Sequence, residues 1–332
     1  MNTTVRLKQR PYGYTDDNTW TINEESIPSL SDNQFLVKIN YISLDPAMRG
    51  WMDDAPSYLP PVKIGEVMRA GCTGEVVESN NSKFKVGATV TGWFGAQEYA
   101  VSDGEGVYDI SAFGVPEEKF LGVLGMTGYT AFFGLLDVGQ PKAGETLMVS
   151  GAAGAVGSIV GQIGKIKGLR VVGIAGGPEK CNYCVNELGF DACIDYKSMD
   201  FMKKLFEQTP KGVDVYFDNV GGDILDAILI RINKKARVVL CGAIAQYNNE
   251  SGIVGPKNYL SLLVNRARME GFIVLDYADK YDEATMQLAQ WMQEGKIQSV
   301  EHIENGIANF PTVFNKLFSG EKMGKLILKV NK

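Results

Sequence analysis

The sequence predicts an α/β protein of two domains, a β-rich one and a doubly wound parallel sheet, and three observations predict it. From about residue 120 onward apolar strand-like runs alternate with longer amphipathic segments. Before that point the strand-like runs are short and densely broken by Gly and Pro. Between the two textures of a buried strand and a helix lies a loop of small residues, SGAAGAVGS (150–158). The expected division is 1–122 with 299–332 for the β-rich domain and 123–298 for the α/β domain.

In order along the chain, FLVKINYISL, TGEVVES and ATVTGWFGAQEYAVS read as strands of the first domain. TLMVSG (146–151) reads as a buried parallel strand, AVGSIVGQIGKIKG as the helix after it and RVVGIA (170–175) as the second strand. The unit then repeats: PEKCNYCVNELG helical, ACIDY a strand, FMKKLFEQT helical, VDVYFDNVGG a strand, ILDAILIRIN helical, RVVLCGAI a strand and MEGFIVLDY one more. Such a chain of βα units implies right-handed crossovers with helices on both faces of the sheet. The closing FPTVFNKLFSGEKMGKLILKV is a helix and a strand with no α/β unit after it, which suits a return to the first domain.

Composition excludes several kinds of function. The 332 residues carry 33 basic and 39 acidic side chains, interspersed, so neither a nucleic-acid nor a membrane surface is expected. The N-terminus lacks the apolar core of an export signal and no run of about 18 apolar residues occurs, so a cytoplasmic protein with reduced cysteines is expected. Cys181 and Cys184 form a CxxC without a second pair, and His302, in SVEHIENG, is the single histidine. Catalytic zinc and hydrolytic triads both need histidine near their other groups, so no metal and no triad are expected.

In the small-residue loop, Ala152, Gly154 and Gly157 fill the three positions of a GxGxxG-like pattern. Those positions serve a tight turn, close approach of backbone to pyrophosphate, and close packing of helix on strand, with the helix N-terminus facing the phosphates. Roughly 20 residues on, an NAD site presents an acid to the ribose 2′-hydroxyl. Here AGGPEK (175–180) puts Gly176 and Gly177 there instead. Two glycines leave room and bare N–H donors for a 2′-phosphate, and Lys180 supplies a positive charge, so NADP(H) is the expected cofactor. Glu179 lies beyond the strand end; a solvated helix-start lysine is the alternative for Lys180.

The chain resembles the zinc-independent branch of the medium-chain dehydrogenase/reductase superfamily, specifically its alkenal and enone reductases. The resemblance runs through ISLDPAMRGWM (42–52), LGMTGYTAFFGLLDVG (124–139), the SGAAGAVGS loop, AGGPEK, GFDACIDYK (189–197), YFDNVGG (216–222), CGAIAQYN (241–248) and MGKLILKV. It implies a GroES-like substrate domain, a Rossmann NADP-binding domain and a homodimer. It also implies that Gly154, Ala155, Val156 and Gly157 meet the pyrophosphate and that Gly176, Lys180 and Tyr196 meet the 2′-phosphate end. Asn219, Cys241, Gly242, Ala243, Ile244, Phe272, Ile273 and Val274 would line the nicotinamide half, and Ala47, Tyr58, Met126 and Tyr259 the substrate pocket. The family often carries Tyr where Ala47 and Val264 stand here, and a cofactor-contacting Asn where this chain has Lys322, so that contact is not carried over.

The activity so implied is NADPH-dependent reduction of the carbon–carbon double bond of enals, enones or curcumin-like dienones, with Tyr247 as the catalytic side chain. Hydride addition to the β-carbon puts negative charge on the carbonyl oxygen, where a phenol can donate a hydrogen bond, with the cofactor's ribose hydroxyl as second donor. The alternatives are an NADPH-dependent quinone reductase of the same zinc-free branch, and a non-catalytic NADP(H)-binding protein in which Tyr247 only tethers its loop.

Overall fold

The computed structural model describes residues 1–331, and its chain divides into two compact units, Met1–Leu121 with the segment from Glu301 on, and Gly122–Val300. In the first unit the chain forms β1 (Asn2–Leu7), β2 (Trp20–Glu25), β3 (Phe35–Ser43), the short helix α1 (Ala47–Trp51), β4 (Cys72–Ser79), β5 (Thr89–Gly92), β6 (Tyr99–Ser102) and β7 (Tyr108–Asp109). The second unit contributes α2 (Met126–Phe133), β8 (Thr146–Ser150), α3 (Ala155–Ile166), β9 (Arg170–Ala175), α4 (Pro178–Asn186), β10 (Ala192–Asp195), α5 (Phe201–Gln208), β11 (Val213–Asp218), α6 (Gly222–Leu229), β12 (Ile232–Leu240), α7 (Leu260–Asn265), β13 (Arg268–Gly271) and α8 (Tyr281–Gln293). The chain then closes the first unit with β14 (Glu301–Asn305), α9 (Phe310–Ser319) and β15 (Lys325–Lys329).

In the first unit β14, β15, β3, β4, β5 and β7 pair in that order, β6 adds to β3, and β1 pairs with β2. Alternation in β3 buries Phe35, Val37 and Ile39, and α9 delivers Phe310 and Phe314 onto Trp20 at ring distances of 5.3 and 5.6 Å. Two segments that carry the family resemblance have a structural task here. The buried Lys325 ammonium of MGKLILKV donates to the Asp45 carboxylate (2.7 Å) and the Leu44 carbonyl (2.8 Å), tying the last strand to the turn before α1.

The second unit is a six-stranded sheet in the order β10-β9-β8-β11-β12-β13, every pair parallel. Its strands are apolar on both faces: all five residues of β8 are buried, as a parallel sheet covered by helices requires. The order reverses between β8 and β11, and it is at such a switch point that a doubly wound sheet leaves a crevice outside its carboxyl ends.

Two elements differ from the sequence expectation. The helix expected over ILDAILIRIN ends at Leu229, and β12 begins at Ile232, five residues before the expected strand. Ile232 pairs with Val213, and an irregularity that includes Lys235 (φ 66°) then shifts the register so that Arg237 faces Val215. A short apolar run satisfies either period, and pairing to β11 decides it. MEGFIVLDY is a strand only through Gly271; Val274–Lys280 coils into a 3-10 helix, held where the Tyr281 hydroxyl donates to the Val274 carbonyl (2.9 Å). No helix among the described residues is long and apolar enough to cross a membrane.

Candidate active site

The loop after β8 turns at Gly151, whose φ of +60° suits glycine. The tight turn therefore belongs to Gly151 and not to Ala152. Ala152 is fully buried and fills the space over Gly173, where a Cβ would come within 2.8 Å of its own. Gly154 is the extended residue before α3, and no side chain caps that helix. Its first-turn N–H groups are thus presented at the switch point, as anion binding at a helix N-terminus requires. A Cβ on Gly157 would run into the Gly151 carbonyl, backbone that cannot yield. Gly157→Ala should cost about 1–3 kcal/mol by overpacking and abolish the rise in Tm that NADPH produces, a result read from thermal melts with and without cofactor.

At the end of β9 the chain passes through Gly176 and Gly177, the latter at φ +93°, into α4. A Cβ on Gly176 would lie 2.9 Å from the Tyr196 ring, 3.1 Å from its hydroxyl and 3.2 Å from Cε of Lys197. The acid at the end of β10, Asp195, is occupied by backbone, accepting from Gly177 N–H (2.9 Å) and Lys197 N–H (3.0 Å). Glu179 is exposed at the helix surface. Lys180 is half-buried, and its pKa is lowered first by that burial and then by the charge of Lys197. Lys197 stands beside the bare Gly176 and its charge acts on Lys180, and two neighbouring ammonium groups suit a dianion far better than a ribose hydroxyl. Lys197 escaped the sequence reading; its signal was its place directly after Tyr196 at a parallel strand's carboxyl end.

At the ends of β8, β11 and β12 a buried polar network replaces apolar packing. Ser150 and Asp218 are both fully buried, and Asp218 Oδ1 accepts from Ser150 Oγ (2.9 Å), the Tyr216 hydroxyl (2.7 Å) and the N–H groups of Val220 and Gly221 (3.0 Å each). Its carbonyl accepts from Cys241 N–H (2.9 Å) and Gly242 N–H (3.1 Å), and Asn219 donates through its amide to the Ser150 carbonyl (2.7 Å). The network clamps three loops to one another. Neither Ser150 nor Asp218 was singled out from sequence, although a polar residue closing an otherwise apolar strand was the available sign.

Above this floor the Tyr247 hydroxyl accepts from Ala243 N–H at 3.1 Å, and a Cβ on Gly242 would lie 3.0 Å from the same oxygen. A phenol that accepts a backbone N–H retains the capacity to donate its own proton. Burial and the nearby Asp218 charge push the Cys241 thiol up to about 12, so it stands here as a neutral wall and not a nucleophile. Phe272 turns back onto Phe217 (ring distance 6.5 Å) and fills the space left by Gly134; Ile273 and Val274 follow it, half-buried.

Thus Gly154–Gly157, Gly176, Lys180, Tyr196, Asn219, Cys241–Ile244, Tyr247 and Phe272–Val274 all follow the carboxyl ends of one parallel sheet. Of the pocket candidates, Met126 opens α2 and receives the Tyr281 hydroxyl on its sulfur (3.7 Å), while Tyr259 stands exposed before α7. Ala47 opens α1 in the other unit, where Tyr58 accepts from Trp51 Nε1 (2.8 Å). His302 lies on β14 with Nε2 2.8 Å from Glu304. Among the described residues no group of three His, Cys, Asp or Glu side chains is placed to hold a metal ion.

A glycine loop at the switch point of an all-parallel six-stranded sheet defines a Rossmann-type dinucleotide-binding protein. Residues 3–110 match the family model described as the N-terminal domain of oxidoreductase, and 155–292 that of zinc-binding dehydrogenase. The chain is 43% identical over 329 residues to the NADPH-dependent curcumin reductase of Escherichia coli, covering 98% of this chain and 95% of that protein. It is 36% identical to the NADP(+)-dependent 2-alkenal reductase of Nicotiana tabacum, covering 100% and 98%. The crystal structure of CurA from Vibrio vulnificus in complex with NADPH superposes with a TM-score of 0.94 at 44% identity, over 99% of each chain. The chain belongs to the medium-chain dehydrogenase/reductase family, in the branch of these double-bond reductases.

Proposed function

We propose that the protein is an NADPH-dependent reductase of the carbon–carbon double bond in α,β-unsaturated aldehydes and ketones. The observation that carries this reading is the pairing in one unit of a two-lysine pocket at the ends of β9 and β10 with a tyrosine hydroxyl at the end of β12. Full-length similarity to the curcumin and 2-alkenal reductases supports the substrate class.

The loop Gly151–Gly157 holds the pyrophosphate on the N-terminus of α3, and Lys180, Lys197 and Tyr196 hold the 2′-phosphate. Asn219, Cys241–Ile244 and Phe272–Val274 line the nicotinamide half. When bound, NADPH supplies the hydride taken by the acceptor's β-carbon. The Tyr247 hydroxyl donates to the acceptor's carbonyl oxygen, and that bond strengthens as the oxygen gains charge on the way to the enolate. Water then protonates the α-carbon, so no histidine or strongly shifted acid is required.

The protein works in the cytoplasm, a location its five free thiols suit, and as a homodimer. β13 ends the six-stranded sheet, and α7 before it exposes Leu263 and Val264 (74% and 67%), an edge that a second copy would cover. Turnover of enals, enones, dienones and quinones with NADPH and NADH, with product identification, tests the activity. NADPH consumption with the carbonyl left intact is expected. An allylic alcohol as product, or turnover of quinones alone, would overturn it.

A further inference from the structure

Among the described residues three with charged side chains are buried: Arg49, Lys325 and Asp218. Arg49 meets the Asp53 carboxylate at 2.7 Å and Lys325 meets that of Asp45 at 2.7 Å, so each has a partner of opposite sign. Asp218, the one in the second unit, has no such partner. The groups that reach its carboxylate are neutral: Ser150 Oγ, the Tyr216 hydroxyl and the N–H groups of Val220 and Gly221 all donate to Oδ1, while Oδ2 is buried with no hydrogen bond at all. Four donors on one oxygen favour the ionised form, and a proton on Oδ2 would itself find no acceptor. Taking a carboxylate out of water without a counter-charge is costly, and proteins normally pair such a group.

The unpaired charge lies directly behind the segments read as the nicotinamide half. Asn219 and Val220 follow Asp218 in the chain, Cys241 and Gly242 donate to its carbonyl (2.9 and 3.1 Å), and a Cβ on Gly221 would lie 3.2 Å from that of Ala243. We propose that the Asp218 carboxylate is the counter-charge for the oxidised nicotinamide ring, so that the protein holds NADP+ more tightly relative to NADPH and thereby favours release of the hydride. The inference rests on the reading of those segments as the wall of the nicotinamide site.

Hydride transfer moves one hydrogen nucleus and two electrons from the ring to the acceptor's β-carbon. The neutral ring becomes a cation, and the acceptor becomes an enolate that takes a proton from water. Tyr247 meets the negative end of that charge separation and Asp218 the positive end, the latter across a buried floor of low dielectric. Being fully buried, Asp218 acts through the loop in front of it and does not touch the ring, so it is a positioning residue that places a charge. The cofactor's phosphates are the same in both redox forms, and their repulsion of Asp218 cancels in a comparison of the two.

Equilibrium titrations of the whole protein with NADP+ and with NADPH, followed by fluorescence, give a Kd for each form. Asp218→Asn keeps an oxygen for the four donors and removes the charge. The ratio of Kd for NADP+ to Kd for NADPH is expected to rise about tenfold, the scale of one charge acting through a protein interior, and single-turnover oxidation of bound NADPH by an enone should slow with it. Ser150→Ala and Tyr216→Phe loosen the same network but leave the charge, so they should move both Kd values together and hold the ratio. Should Asp218→Asn fail to fold, Asp218→Ser, which leaves room for a water among the same donors, carries the measurement. An unchanged ratio in a folded variant without the charge, or an equal rise in Ser150→Ala and Tyr216→Phe, would overturn the proposal. A wild-type protein that binds neither NADP+ nor NADPH overturns the cofactor reading itself, whereas one that binds both and keeps its ratio without Asp218 overturns the counter-charge alone.

Discussion

Tyr247→Phe is expected to lower kcat for enone reduction by about a hundredfold, the usual worth of one donor to a developing oxyanion, with NADPH binding nearly unchanged. The expectation follows from the chemistry of the groups at these strand ends. Asn219 donates to the Ser150 carbonyl, Gln246 exchanges two bonds with the backbone of Val254, and Cys241 is a high-pKa thiol. Tyr247 is oriented through the oxygen that accepts Ala243 N–H, and a phenol can accept and donate at the same oxygen. Phenylalanine keeps the ring and its packing but offers the carbonyl nothing. A fall in kcat with KM for NADPH held constant marks a contact made in the transition state. Equal turnover by the two proteins would show Tyr247 to be a tether for the 241–247 loop and no more.

The βα alternation was legible because the parallel strands are apolar throughout and short. TLMVS and RVVGIA could be read as buried strands, and the glycines between them as a loop, from the residues alone. Boundaries failed where a run such as LIRIN or FIVL satisfies both periods and only pairing to β11, or the hydrogen bond from Tyr281, selects one. At the site, Gly157 and Lys180 were readable because each answers a steric or charge demand at a fixed distance from the loop. Lys197, Ser150 and Asp218 were not. A lysine after a strand looks like any solvated lysine until Gly176 is seen to leave it room, and a buried acid declares itself only through the N–H groups that converge on it. Asp45 shows the converse, since a residue in a segment that marks the family proves to hold the last strand in place through Lys325.

Lys180→Ala should raise KM for NADPH by about ten- to a hundredfold, the range of a charge-assisted contact to phosphate, and leave NADH almost unaffected. The selectivity is electrostatic, so it also carries a pH signature. Lys180 is half-buried and faces the charge of Lys197, and both lower its pKa in the free protein. The phosphate requires the protonated amine, so kcat/KM for NADPH should begin to fall on the alkaline side at a lower pH than an ordinary lysine would give, while the profile with NADH stays flat there. On the acid side the phosphate itself gains a proton near pH ~6 and weakens the same contact. The preference therefore has a plateau bounded by ligand below and lysine above. Lys180→Arg, whose guanidinium does not titrate in this range, should remove the alkaline limb but keep the preference. Lys197→Ala should release Lys180 from repulsion, moving that limb to higher pH even as the phosphate loses one of its two cations. Identical profiles for NADPH and NADH in the unmodified protein would place the discrimination elsewhere than in this lysine pair.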